Sequence, residues 1–125
     1  MAKVKLTDRK KSHVNVKTNG VCAHCGKPLN QHNRTVDHFI PLSFYGTSHD
    51  YNLMPVCRQC NIDKGSVIVN PMDYYIYATG RAVEDCYFYF NIWCDYIRQY
   101  VVEAEAYIDF VGGILYPQTY GNNYN

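Results

Sequence analysis

Apolar and polar residues follow two different rhythms along this 125-residue chain. In the first half they form short segments. Arg34-Thr-Val-Asp-His-Phe-Ile40 is β-branched and aromatic, bounded by Asn33 and Pro41, and predicts a strand. Asn52-Leu-Met-Pro-Val56 predicts a second short strand, kept at a sheet edge by Pro55, which has no N–H to give to a ladder. The Ser-, Gly- and Thr-rich stretch from Pro41 to Asp50 reads as a loop, and Arg58 to about Gly65 as a short helix. Ahead of them, weak apolar spacing at Val4, Leu6, Val14 and Val16 predicts a helix from about Thr7 to Thr18, stopped by Asn19-Gly20.

From Asn70 the spacing changes to threes and fours. Asn70 reads as an N-cap with Pro71 in the first turn, Asp73 favouring the dipole and Gly80 ending the helix. Val83, Cys86, Tyr87, Phe90, Trp93, Cys94, Ile97, Val101, Ala104, Ile108 and Val111 then form one apolar stripe. It predicts a single helix of about thirty residues, stopped at Gly112-Gly113. Eleven of the thirteen tyrosines lie at or after Tyr74, more than one stripe can bury. Tyr89, Tyr96 and Tyr100 fall on a second face, which reads either as a homodimer surface or as cover for the same domain.

The elements together predict an α+β fold in a single domain, 1–125. It divides into a basic N-terminal segment (1–20), a core (21–66), a helical part (70–111) and a tail (112–125). No run of eighteen apolar residues predicts a membrane span, and Met-Ala-Lys-Val-Lys-Leu lacks the apolar core of a signal peptide, so a cytoplasmic protein is expected. The net charge of +1 hides an asymmetry. Residues 1–64 hold ten Lys and Arg against four Asp, and residues 65–125 hold Arg81 and Arg98 against seven carboxylates. Positive charge concentrated in the first half points to a polyanionic partner. A basic solvated tail is the plainer reading of Lys3 to Lys17.

Cysteine spacing locates the chemistry. Cys22-Ala-His-Cys25 and Cys57-Arg-Gln-Cys60 are two Cys-x-x-Cys pairs, which together suit a closed four-thiolate Zn²⁺ site. The thirty-one residues between them exceed the roughly 15–20 of a compact zinc ribbon, so the metal staples a sizeable hairpin. Gly26 supplies the tight turn of the first knuckle. Cys86 and Cys94, eight apart on one helical face, read as buried free thiols. Of the five histidines, His13, His24 and His32 read as solvent-facing. His49, in the loop before Asn52, is nearer the chemistry, and His38 carries it.

The order Cys22-x2-Cys25, Asp37-His38-x-x-Pro41, Asn52-Leu-x-Pro-x-Cys57-x2-Cys60-Asn61-x2-Lys64 resembles the HNH endonuclease family of the ββα-metal (His-Me finger) superfamily, in an HNN variant. The matching span runs from about Val21 to Gly65, and residues 66–125 carry no match. The resemblance implies a small zinc-stapled ββα-metal finger, flanked here by an N-terminal helix and C-terminal amphipathic helices. It implies that His38 is the general base, that Asp37 and Asn61 hold a catalytic divalent ion, and that Asn52 positions the hairpin and the base. Asn at the third motif position leaves only oxygen ligands, which suits Mg²⁺ or Mn²⁺. Imidazole titrates near neutrality and is suited to taking a proton from water. Asp37 and His38, adjacent on a strand, point to opposite faces, so both reach one site only if the backbone bends at the strand's end. Arg58, Lys64 and His49 are candidate nucleic-acid contacts.

The expected activity is metal-dependent hydrolysis of DNA phosphodiester bonds, leaving 5′-phosphate and 3′-hydroxyl ends as the resemblance implies. The alternatives are a non-catalytic zinc-finger DNA-binding protein and, among enzymes, a dimeric resolvase of branched DNA. Small proteins of this kind often belong to phages or mobile elements.

Overall fold

The computed structural model describes residues 6–76 and 81–119. Helix α1 spans Asp8–Asn15. Thr7 caps it, its hydroxyl accepting from the Lys10 N–H at 3.1 Å, and Asp8 sits in the first turn where the helix dipole favours an acid. A 3-10 turn, Val16–Thr18, carries the chain on to Asn19, whose left-handed φ of 54° ends the segment as its sequence predicts.

Strands β1 (Arg34–His38) and β2 (Leu53–Cys57) form a two-stranded antiparallel sheet, with Asp37 opposite Met54 and His38 opposite Leu53. The fold is α+β. Both strands are edges, which accommodates Pro55 as expected, yet all five residues of β2 are buried. The first cysteine knuckle covers its far side, the Ala23 N–H donating to Pro55 O at 2.8 Å. Helix α2 (Arg58–Lys64) follows β2 without a loop, and the Gly65 N–H donates to Asn61 O at 3.1 Å as the helix closes.

The C-terminal part departs from the sequence-based expectation in three places. Asn70 does cap a turn, accepting from the Met72 N–H, but Pro71–Asp73 is only a 3-10 turn, and Tyr74 is extended before 3-10 geometry resumes at residues 75–76. The Tyr75 and Ile76 N–H groups donate to His24 O and Ala23 O at 3.3 and 3.2 Å. These bonds to the knuckle replace those of a continuous α-helix, and Tyr74 and Ile76 are buried. The expected stop at Gly80 lies outside the described residues.

The expected single long helix is two. Helix α3 spans Arg81–Tyr100 and helix α4 spans Ala104–Leu115. The break follows consecutive β-branched residues, Val101 and Val102, and Val102 is 93% exposed. Arg98 reaches across the corner to Glu105 at 2.7 Å. Gly112-Gly113 does not stop α4, which runs on to Leu115.

The apolar stripe packs as its spacing predicts. Cys86, Phe90, Trp93, Cys94, Ile97, Ala104, Ile108 and Val111 all face the core, while the side chain of Val83 lies outside the described residues. Cys86 rests on Met54 of β2, sulfur to sulfur at 3.8 Å, and the Trp93 indole N–H donates to Phe44 O at 2.9 Å. Tyr89 belongs to this core as well. It is 1% exposed, and its hydroxyl accepts from the Thr47 N–H at 2.9 Å, so the expected second face loses one of its three members. Only Tyr96 and Tyr100 remain outside, with rings 5.2 Å apart. No helix among the described residues is long and apolar enough to cross a membrane.

Candidate active site and metal centre

Two turns bring the cysteines together. In the first, Gly26 adopts φ of 80° and its N–H donates to Cys22 O at 2.9 Å, reversing the chain between Cys22 and Cys25. The second is the β2–α2 junction itself, where Cys57 caps α2 and its sulfur faces the Cys60 N–H at 3.5 Å. All four sulfurs lie within 4.8 Å of one another, and those of Cys25 and Cys57 are 4.0 Å apart. A tetrahedral ion with bonds of about 2.3 Å to sulfur requires sulfur–sulfur edges of about 3.8 Å. The donor set therefore fits a thiophilic metal ion. Burial raises the Cys22 and Cys60 thiols. At Cys57, burial acts the same way but is outweighed by the Cys60 N–H and the neighbouring thiols, which bring it down to about 7. Four thiols crowded together favour one thiolate among them, and a bound cation would favour the rest.

Asp37, His38 and Asn61 line one groove of about 240 Å³ at the end of β1, walled by Pro41–Ser43 and by Gly65 and Ser66. Pairing continues through His38, and the backbone bends directly after it, at Phe39 and Ile40, the bend expected if Asp37 and His38 are to share a site. The groove lies across this end of the strand, lined by Val36, Asp37 and His38 in succession. The His38 ring places Nε2 3.0 Å from the Ser48 hydroxyl on the loop between the strands. Asn52, fully buried, clasps that loop. Its Oδ1 accepts from the Ile40 N–H at 2.7 Å, while its Nδ2 donates to Ile40 O and Thr47 O at 3.1 and 2.7 Å. Both ends of the loop, and Ser48 within it, are thus fixed by one amide.

On the α2 side, a hydrogen-bond chain orients Asn61. The Thr35 hydroxyl has one proton, and Val56 O, an acceptor only, takes it at 2.9 Å. Thr35 Oγ can then only accept from Asn61, whose Nδ2 lies 3.0 Å away. The amide nitrogen of Asn61 is committed, which leaves its carbonyl oxygen as the end able to accept from another group. Thr35 lies two residues before Asp37 and so shares its face of the strand, a spacing visible in the sequence.

Asp37 is 4% exposed, and Lys64 is its counter-ion, with Nζ 3.0 Å from Oδ1 and 3.1 Å from His38 O. Burial raises the Asp37 carboxyl to about 6, although Lys64 pulls it down. Its Oδ2 is buried without a hydrogen bond, a donor atom suited to a hard cation. Lys64 is therefore not the exposed phosphate contact its helical position suggests, because its side chain is 2% exposed and turned inward. Arg58 is exposed, its guanidinium donating to His32 O at 2.9 Å. His49 caps the turn Asp50–Asn52, accepting from the Tyr51 N–H, and its ring stacks on Tyr51.

His24 also departs from expectation. It faces inward rather than to solvent, 14% exposed, with Nε2 3.7 Å from Asp37 Oδ2. Burial and the nearby Lys64 charge lower its imidazole to about 4, so the contact is not an ion pair. No local signal in the sequence ties Ser48 to His38, ten residues away, or turns His24 inward onto Tyr74, fifty residues on.

Comparison with known proteins finds similarity over the same segment. Residues 22–73 match the family model for HNH endonuclease, a span that includes both cysteine pairs, Asp37, His38, Asn52 and Asn61. Half of the chain, 64 residues, is 33% identical to the CRISPR-associated endonuclease Cas9 of Corynebacterium diphtheriae. The match spans 5% of that much longer protein.

Proposed function

Residues 22–73 belong to the HNH endonuclease family, and from this we propose that the protein is a metal-dependent endonuclease that hydrolyses DNA phosphodiester bonds. The observation that carries the reading is the convergence of Asp37, His38 and Asn61 on one groove. Each offers what the reaction needs. His38 accepts a proton from the attacking water, with Ser48 holding its Nε2 edge so that the ring is already oriented. The water oxygen bonds to phosphorus, the bond from phosphorus to the 3′-oxygen breaks with its electron pair leaving on that oxygen, and a proton from solvent water completes the 3′-hydroxyl beside the 5′-phosphate.

The Asp37 carboxylate and the Asn61 carbonyl would hold the divalent ion, an oxygen-only set that suits Mg²⁺ or Mn²⁺. Such an ion supplies charge neutralisation at the phosphoryl and leaving oxygens. Asn52 acts at one remove by fixing the loop that carries Ser48. The four-cysteine site takes Zn²⁺ in a structural role, closed to substrate by its full thiolate shell. The basic first half of the chain, with Arg58 on its exposed surface, supplies attraction for the phosphate backbone.

The test is plasmid cleavage with Mg²⁺, Mn²⁺ or EDTA, beside His38→Ala. Cleavage is expected with either ion and not in EDTA. The variant should lose roughly 10²–10⁴-fold, the usual worth of a positioned base, while still binding DNA. Cleavage by His38→Ala at the native rate would remove the general-base assignment.

A further inference from the structure

The buried cluster behind Asp37 has no part in the reaction described above. His24 lies between the two cysteines of the first knuckle, and its main chain is fixed from outside by the Tyr75 N–H on its carbonyl. Its ring lies on Tyr74, with centroids 4.5 Å apart and planes inclined by 32°. These restraints aim the Nε2 edge at Asp37 Oδ2, 3.7 Å away. Both atoms are buried, and neither has a hydrogen bond elsewhere. In a native interior such atoms almost always find a partner. Here they face each other across 3.7 Å, and the hydroxyl of Tyr74, the ring His24 packs against, is likewise buried without a hydrogen bond.

We propose that His24 is a positioning residue for Asp37, presenting Nε2–H to the second carboxylate oxygen and thereby fixing how Asp37 faces a divalent cation. The proposal rests on the endonuclease reading for the presence of that cation. A carboxylate has about four lone-pair sites. Lys64 takes one on Oδ1 and His24 one on Oδ2, which leaves two for the ion with the carboxylate's rotation already set. Because the same turn carries Cys22 and Cys25, the geometry of the four-cysteine centre is passed to the catalytic carboxylate through a single side chain. A packing role alone would need only a flat ring against Tyr74.

The variant His24→Phe separates the two roles, since it keeps a ring on Tyr74 and removes the nitrogen. Mn²⁺ binding to the DNA-free protein is measured by electron paramagnetic resonance, zinc content by elemental analysis and cleavage by Mn²⁺ titration. His24→Phe should retain its zinc and bind Mn²⁺ roughly ten- to a hundredfold more weakly, as expected for losing one hydrogen bond to a charged group. His24→Gln, which restores an N–H within reach, should recover part of that affinity. Unchanged Mn²⁺ affinity in a folded His24→Phe overturns the positioning role and leaves the endonuclease reading standing. Wild-type protein that neither binds Mn²⁺ nor cleaves overturns both. Should His24→Phe fail to fold, the ¹⁵N shifts of His24 in the zinc-loaded wild type decide. A protonated Nε2 supports the proposal, and the Nδ1–H tautomer overturns it.

Discussion

The Lys64 ammonium lies 3.0 Å from Asp37 Oδ1, with both side chains almost completely shielded from water. The pair joins the end of a helix to the strand that carries the site: Lys64 ends α2, and Asp37 is the penultimate residue of β1. A buried pair of this kind is costly to break, because removing one partner leaves the other charge without solvent or counter-ion.

Lys64→Met should therefore destabilise the protein by about 3–5 kcal/mol in the absence of divalent ions. The unpaired Asp37 then gains more from a divalent cation than it does in the native chain. Millimolar Mg²⁺ should raise the melting temperature of the variant more than that of the wild type. Equal shifts in both would mean that Asp37 does not hold the ion.

Thr35→Val keeps the shape of the strand and removes the hydroxyl that accepts from Asn61. With nothing to hold its nitrogen, the Asn61 amide can turn either end to the cation. The concentration of Mn²⁺ needed for half-maximal cleavage should rise severalfold, by about 1 kcal/mol of lost hydrogen-bond free energy. Thr35→Ser should restore it. A Thr35→Val enzyme with native metal dependence would show that Asn61 is oriented by something else.

The four-cysteine centre predicts one tightly held zinc per chain, retained when the catalytic ion is exchanged. Cys22→Ser or Cys57→Ser should unfold the hairpin, because the binding free energy of a structural zinc is largely folding free energy. Elemental analysis showing active protein without zinc would remove this assignment.

The two remaining cysteines give a test of packing through pH. Burial lifts the Cys94 thiol to about 11, although Arg98 pulls it down, and burial raises Cys86 as well. Only the thiolate is nucleophilic, so a raised pKa slows the reaction and each step up in pH speeds it. At pH 8 the native, zinc-loaded protein should alkylate at Cys94 at least about a hundredfold more slowly than free cysteine, with the rate climbing towards pH 11. Chelated, unfolded protein should label at all six positions. Rapid labelling of Cys94 in the folded protein at pH 8 would show that α3 does not bury it.

The hairpin is legible in the sequence because each of its boundaries has a local cause. Asn33 and Pro41 bound the first strand, Pro55 marks an edge, Gly26 turns the knuckle, and the cysteine pairs fix where the ends meet. The break between α3 and α4 is not legible, since Ile97, Val101, Ala104 and Ile108 keep helical spacing straight across it. The inward turns of Tyr89, His24 and Lys64 are hidden for another reason. Their partners, Thr47, Tyr74 and Asp37, are 42, 50 and 27 residues away, and a helical or knuckle position alone does not reveal them. The grouping of Asp37, His38 and Asn61 follows from family resemblance, whereas Thr35 and Ser48, which hold two of them, emerge only from coordinates.

The seating of Cys86 on Met54 has a consequence for how the molecule is made. Chains are synthesised and begin to fold from the N-terminus. By the time α3 leaves the ribosome, both cysteine pairs and both strands have already emerged, and a metal ion can close them into a hairpin. The helices then arrive at a finished floor. Zinc supply during translation should accordingly govern how much chain reaches the native state, so that metal starvation lowers the yield of folded protein even when the finished molecule, once loaded, keeps its ion.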